Sequence, residues 1–184
     1  MPVLVPAAEV PDLVAARLRH RPGTRWVGVD GFGATGKTTL AASLARVLPR
    51  SVVVHVDDFA KPSVTTWERD RFVAQVLAPL AAGRTGRYQR WDWPSDTGAE
   101  WHDVPPGVPV VVEGVSSTDV RLGVPWDVRI WVEADREVRL ARALERDGEA
   151  MLERWLTDWM PSEERYRAAQ RPHERADFWV RTSP

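Results

Sequence analysis

The 184-residue chain has no cysteine, which excludes disulfides and thiolate metal sites. It has no run approaching the ~18 consecutive apolar residues of a membrane-spanning helix. The opening MPVLVPAAEVPDL has neither a basic n-region nor an apolar stretch of signal-peptide length, so a cytoplasmic protein with no membrane partner is the expectation. An excess of either charge is missing too. With 25 Lys and Arg against 26 Asp and Glu, the net charge is -1 and no overall field favours nucleic acid. Lysine is scarce: Lys37 and Lys61 are the only two, so no neighbour easily stands in for either. No Pro/Gly/Ser-rich linker, internal repeat or low-complexity segment divides the chain, and residues 1–184 read as one domain with a substantial core.

What is present is concentrated in residues 28–40, GVDGFGATGKTTL, where Gly31, Gly36, Lys37 and Thr38 fill every fixed position of G-x-x-x-x-G-K-[ST]. Glycines admit positive φ, so the amides of a loop running through Gly31, Phe32, Gly33, Ala34, Thr35, Gly36, Lys37, Thr38 and Thr39 can turn inward around polyphosphate oxygens. Lys37 then places a point charge on the β- and γ-phosphates, and the Thr38 hydroxyl is positioned to ligate Mg2+. The motif needs a strand before it and a helix after it. Residues 26–29 are short, apolar and rich in β-branching, while 39–47 place Leu40, Leu44 and Val47 on one helical face. The loop is expected to be exposed. The plainer alternative is a glycine-rich turn before a helix.

Further along, apolar strands are expected at 26–29, 52–56, 108–112, 128–132 and 178–180, with helices near 7–19, 37–47, 67–82, 135–146 and 151–170. Residues 1–22 thus begin with an N-terminal helix. Short continuous apolar strands separated by helices imply a parallel sheet covered on both faces. Residues 83–107 show little regular periodicity and carry Trp91, Trp93 and Trp101 among polar neighbours; connections that long are more often functional than idle.

The second strand ends in Asp57-Asp58-Phe59, at the edge of an open α/β sheet where ligands collect. An acid about twenty residues beyond Lys37 can accept the proton of an attacking hydroxyl as a γ-phosphoryl group transfers. One of the pair is read as the base and the other as a cap of the following turn. The third strand, Val110-Val111-Val112-Glu113-Gly114, has the form of a Walker B site, whose carboxylate can hold Mg2+ through water or orient the nucleophile. A Glu that merely caps the loop of Ser116, Ser117 and Thr118 is the alternative.

Taken in order, GVDGFGATGKTTL, HVDDF and VVVEG resemble the uridine kinase group of P-loop kinases, relatives of pantothenate kinase and phosphoribulokinase, from the P-loop to about Val180. The resemblance implies an α/β P-loop NTPase domain of three α/β/α layers, with a five-stranded parallel sheet in the order 2-3-1-4-5. It implies ATP with Mg2+ and a small-molecule hydroxyl acceptor, a nucleoside first and another alcohol such as a sugar, a pantothenate-like molecule or an antibiotic second. By the same match Asp57 is the base, Asp58 fills the variable position on the acceptor side, and Arg142 and Arg146 belong to a lid over 139–153. Tyr88 in GRYQRWDW is the counterpart of a base-contacting tyrosine, Trp91 and Trp93 form pocket walls within an acceptor segment over 83–107, and Glu68 is a candidate for sugar hydroxyls. Arg146-Asp147-Gly148-Glu149 departs from the family's Arg-Gly-Arg element, and the histidine that follows the family's tyrosine is displaced here to His102.

Two plainer readings stand beside these. Arg139, Arg142 and Arg146 recur along one helical stretch and can equally be an exposed charged face. A non-catalytic P-loop switch is the rival class, although neither lysine sits in an Asn-Lys-x-Asp element and Glu113 is followed by Gly114 instead of a second acid.

Overall fold

The computed structural model describes residues 2–61, 64, 66–93 and 95–183. Its centre is a fully parallel sheet of six strands: β1 (Val3–Leu4), β2 (Arg25–Gly31), β3 (Val52–His55), β6 (Pro109–Glu113), β7 (Val128–Glu133) and β8 (Phe178–Arg181), ordered β1-β8-β7-β2-β6-β3. The five strands expected from sequence take the expected 2-3-1-4-5 order. The sixth, β1, adds two residues at the β8 edge, too short to leave a pattern in sequence.

Burial on both faces explains why β2 and β6 read as continuous apolar runs. Along β6, Val110 and Val112 enter the core shared with Val54, Phe59, Phe72 and Tyr88, while Val111 enters the opposite core with Val27, Val29, Leu40 and Leu44. This is the period-two alternation of a pleated strand. Helices α1 (Val10–Leu18) and α2 (Lys37–Val47) cover the second core; Val10, Val14 and Leu44 are fully buried. Phe72, Val76 and Leu80 of α3 (residues 69–81) cover the first core. Helix α4 is Arg136–Asp147, α5 covers residues 152–170, and α6 is Pro172–Arg175. Both α3 and α5 contain a π turn, at Val73–Leu77 and Trp155–Trp159, an irregularity frequent near functional sites. Among the described residues no helix is long and apolar enough to cross a membrane.

The segment 83–107 is where the sequence expectation falls short. It contains an antiparallel hairpin, β4 (Gly86–Asp92) and β5 (Thr97–Val104), with a register shift between Gln89 and Trp91. Polar cross-strand pairs hold it: Arg90 to Glu100 at 2.8 Å, Arg87 over the Trp101 ring, and His102 stacked on Tyr88 at 5.3 Å. These side chains do not alternate in hydropathy, so no strand signal was present to read.

The junction of β2 with the phosphate loop tolerates no side chain. Gly31 has φ 146°, and a Cβ there would sit 2.0 Å from the carbonyl oxygen of Val132 on β7. Gly31→Ala is therefore expected to destabilise the protein by about 3 kcal/mol or more, read as a lower denaturation midpoint in urea at unchanged m-value.

Candidate active site

The phosphate loop leaves β2 at Gly31 and enters α2 through Gly36, whose φ of 87° is the left-handed conformation that glycine takes without steric cost. Lys37 is 7% exposed, not displayed on an open loop as the sequence suggested. Its Nζ donates to the carbonyl oxygen of Phe32 at 2.6 Å. Burial pushes its amine pKa down, while the carboxylates of Glu113, Glu163, Asp57 and Asp30 counter that and favour the charged form.

The C-terminal ends of β3 and β6 bring three acids to this loop. Glu113 ends β6, opposite His55 in the β3 register; its Oε1 lies 2.5 Å from His55 Nδ1 and accepts from the Thr38 hydroxyl at 3.1 Å. Burial opposes ionisation of Glu113, but His55, Lys37 and Thr38 outweigh it and hold the carboxyl below its ordinary range. The same pairing raises the pKa of His55. Asp57 and Asp58 share one 3-10 turn, Val56–Phe59, whose three-residue period aims neighbours in different directions. Asp58 turns inward and accepts from the Tyr88 hydroxyl at 3.0 Å. Asp57 remains solvent-accessible. Desolvation by the surrounding protein raises its carboxyl pKa, Glu113 adds to the rise, and Lys37, Arg146 and His55 oppose it.

Of the four arginines of α4, the three read as a lid or a charged face, Arg139, Arg142 and Arg146, do not act as one face. Arg142, expected in a lid over the phosphates, donates to Thr182 through Nη1 to Oγ1 at 3.1 Å and Nη2 to the carbonyl oxygen at 2.9 Å; Thr182 Oγ1 in turn donates to Thr35 O at 2.9 Å. It braces the outer side of the loop because α4 starts at the β7 end and meets the chain leaving β8. Arg146 is exposed and pairs with Asp147 at 2.7 Å, near enough to Asp57 for each to perturb the other's titration. Arg139 points inward. Its guanidinium is buried over the Phe32 ring at 4.1 Å, donates to Gly33 O at 3.2 Å, and pairs with Glu163 of α5.

Four acceptor candidates meet on the hairpin side. Tyr88 is 2% exposed and lies between Phe59 and His102, so it shapes the wall through Asp58 instead of forming an open surface. The displaced His102 thus sits directly across the hairpin from the tyrosine. Glu68 is paired with Lys61 at 3.1 Å and Arg71 at 2.7 Å; Lys61 lies 4.5 Å from the Trp91 ring centroid, and Arg71 also donates to Asp58 O and Gln89 O. Trp93 is exposed near the hairpin turn, apart from this group.

Sequence reasoning missed the residues that fix the loop. Asp30 is fully buried and accepts from the amides of Gly31, Ser116 and Thr118 and from the hydroxyls of Thr118 and Tyr166. Glu163 accepts from Gly33 N at 3.0 Å. The available signals were an acid inside an apolar strand, and Glu163 with Tyr166 one helical turn apart. Glu163→Ala would leave the Arg139 charge and the Gly33 amide buried without their partner. A loss of about 3–5 kcal/mol is expected in chemical denaturation, against a much smaller change for Glu164→Ala on the exposed face of the same helix.

No protein-family model matches the chain. A stretch of 36 residues is 56% identical to human nicotinamide riboside kinase 2, covering 20% of this chain and 16% of that protein. Among solved structures, a "possible uridine kinase" from Bacillus stearothermophilus matches at TM-score 0.71 and 18% identity, over 94% of this chain and 98% of that one. A "putative fructose transport system kinase" from Silicibacter sp. TM1040 matches at TM-score 0.65 and 22% identity, over 96% of this chain and 98% of that one. At these identities what is shared is the fold: this chain has the P-loop α/β architecture of those two structures.

Proposed function

We propose that the protein is an ATP-dependent kinase that transfers the γ-phosphoryl group to a hydroxyl of a small molecule, with a nucleoside as the leading acceptor. The observation that carries this reading is the convergence of Lys37, Thr38, Glu113 and Asp57 where three adjacent parallel strands, β2, β6 and β3, end. A glycine-lined loop with a buried lysine suits polyphosphate, and an accessible carboxylate beside it suits a hydroxyl nucleophile. The kinase names of the proteins matched in sequence and fold agree with it.

In this mechanism the loop amides and Lys37 hold the β- and γ-phosphates, and Lys37 exchanges its contact with Phe32 O for a phosphate oxygen. Asp57 accepts the proton as the acceptor oxygen attacks the γ-phosphorus and the bond to the β-phosphate bridging oxygen breaks. Among the described residues no three His, Cys, Asp or Glu side chains form a metal cage. Thr38 and Glu113 would therefore hold Mg2+ jointly with the nucleotide, and the ion would supply charge neutralisation on the phosphates. Arg146 is the lid arginine closest in effect to Asp57, and swinging from Asp147 would bring its charge to the transferring group. On the acceptor side Asp58, Tyr88, Glu68 and Trp91 form one wall. A sugar or another alcohol is the second reading, supported by the pairing of Glu68 with Lys61 and Arg71, which leaves that carboxylate less free for a ribose.

Phosphoryl transfer to a panel of nucleosides, sugars and vitamins tests the reading directly; no ATP turnover with any acceptor would refute it. Lys37→Ala is expected to lower kcat/KM on the order of 10²–10³-fold. Asp57→Asn should cost at least ~10²-fold with ATP affinity little changed, and Asp58→Asn less. A reverse ranking would move the base to Asp58.

Since Asp57 works deprotonated and its pKa is raised, activity should fall with decreasing pH through a limb above the ordinary aspartate range, and Asp57→Asn should abolish that limb. Trp91→Ala and Tyr88→Phe are expected to raise the acceptor KM while hardly changing that for ATP. Trp93→Ala should change it less.

A further inference from the structure

The polyphosphate axis has a direction. In the ATP-dependent reading its γ end lies toward Asp57 and Glu113, on the β3 and β6 side of β2. The opposite side of the loop, toward β7 and β8, opens into a cavity of about 440 Å³ whose floor includes Gly36 and Thr39 at the start of α2. Ser43, Arg142 and Thr182 line it further out, and Ala7 and Ala8 line it from the N-terminal segment. Among the described residues Arg142 is the one charged residue lining it, and its guanidinium donates two hydrogen bonds to Thr182. A neutral heteroaromatic ring with an attached sugar suits a cavity of this size, of mixed hydroxyl and apolar lining and with one planar cation.

Residues 6–9 form a turn held between two anchors. On one side β1 pairs with β8 in the register Val3↔Phe178 and Leu4↔Trp179, and Val5 N–H donates to Trp179 O at 2.9 Å. On the other, Val10 and Val14 of α1 are fully buried. Between these points Glu9 N–H closes a turn on Pro6 O at 3.0 Å, and Ala7 and Ala8 are exposed, line the cavity and carry no side chain longer than a methyl group. Longer side chains at these two positions would fill it.

We propose that Ala7 and Ala8 form the outer wall of the donor-nucleoside site, and that their small side chains keep it open to a purine. This rests on the ATP-dependent reading above. The N-terminal segment, far in sequence from the phosphate loop, then sets donor affinity by its bulk.

Calorimetric titration of the full chain with two probes tests this: ATP, which spans loop and cavity, and inorganic tripolyphosphate, which reaches only the loop. Ala8→Trp and, independently, Ala7→Leu should weaken ATP binding, by at least ~10-fold for the tryptophan, and leave tripolyphosphate binding unchanged. Ala168→Trp, exposed on α5, should change neither. ATP binding by Ala8→Trp as tight as by the parent chain would overturn the proposal, and so would an equal loss for both probes, which would place the effect in the loop. If the parent chain binds neither probe, the ATP-dependent reading fails and the proposal with it; if it binds both and the substitutions at Ala7 and Ala8 leave ATP binding unchanged, the proposal fails alone.

Discussion

Asp30 is where the site and the fold constrain each other. Its carboxylate is fully buried, and burial raises its pKa against five hydrogen bonds that favour the charged form. Desolvating one carboxylate costs several kcal/mol, and hydrogen bonds to a charged group return about 1.5–3 kcal/mol each, so the arrangement is favourable only while nearly all five persist. The donors come from three separate parts of the chain: the start of the phosphate loop, the loop after β6, and α5. None of the three can move alone without stranding a charge. The positions of Lys37, Glu113 and the α5 grip on Gly33 therefore follow from one another.

That coupling is reinforced one turn away. Glu163 and Arg139 satisfy the N–H and the C=O of Gly33, so the two peptide planes flanking that residue are set by a buried ion pair. Such preorganisation lowers the ordering cost that binding would otherwise carry. It also separates three of the four arginines of α4 by position: Arg139 supports the loop from within, Arg142 braces its outer side through Thr182, and Arg146 lies beside Asp147 and Asp57.

What was legible in the sequence was what one local pattern determines. The phosphate loop announces itself because glycine, lysine and threonine are each needed for a separate physical reason, and α2 begins at the lysine of that motif. The five long strands were legible because burial on two faces demands continuous β-branched runs. The hairpin was not, since its stability lies in pairs such as Arg90 with Glu100 that join residues ten apart without hydropathic alternation. Nor was the Arg139–Glu163 pair, whose partners are separated by 24 residues and look in isolation like ordinary helix surface. Asp57 and Asp58 were distinguishable by family resemblance, while the 3-10 turn that separates them is a property of the folded chain.

The π turn in α5 has a geometric consequence. Eight residues separate Trp155 from Glu163, and in a regular α-helix that spacing leaves them roughly 80° apart around the axis. Absorbing one extra residue in the Trp155–Trp159 turn returns the pair to within about 20° of one face. Both then meet Gly33, where a Cβ would lie 2.6 Å from the Trp155 ring and 2.7 Å from Glu163 Oε1. Forcing the same eight residues into a regular α-helix would turn the ring and the carboxylate about 80° apart, so that they could no longer meet the loop together, whereas a helix one residue shorter would keep them within about 20° of one face. The wider turn acts as a phase corrector: it lets α5 carry an extra residue between Trp155 and Glu163 while both still grip the loop.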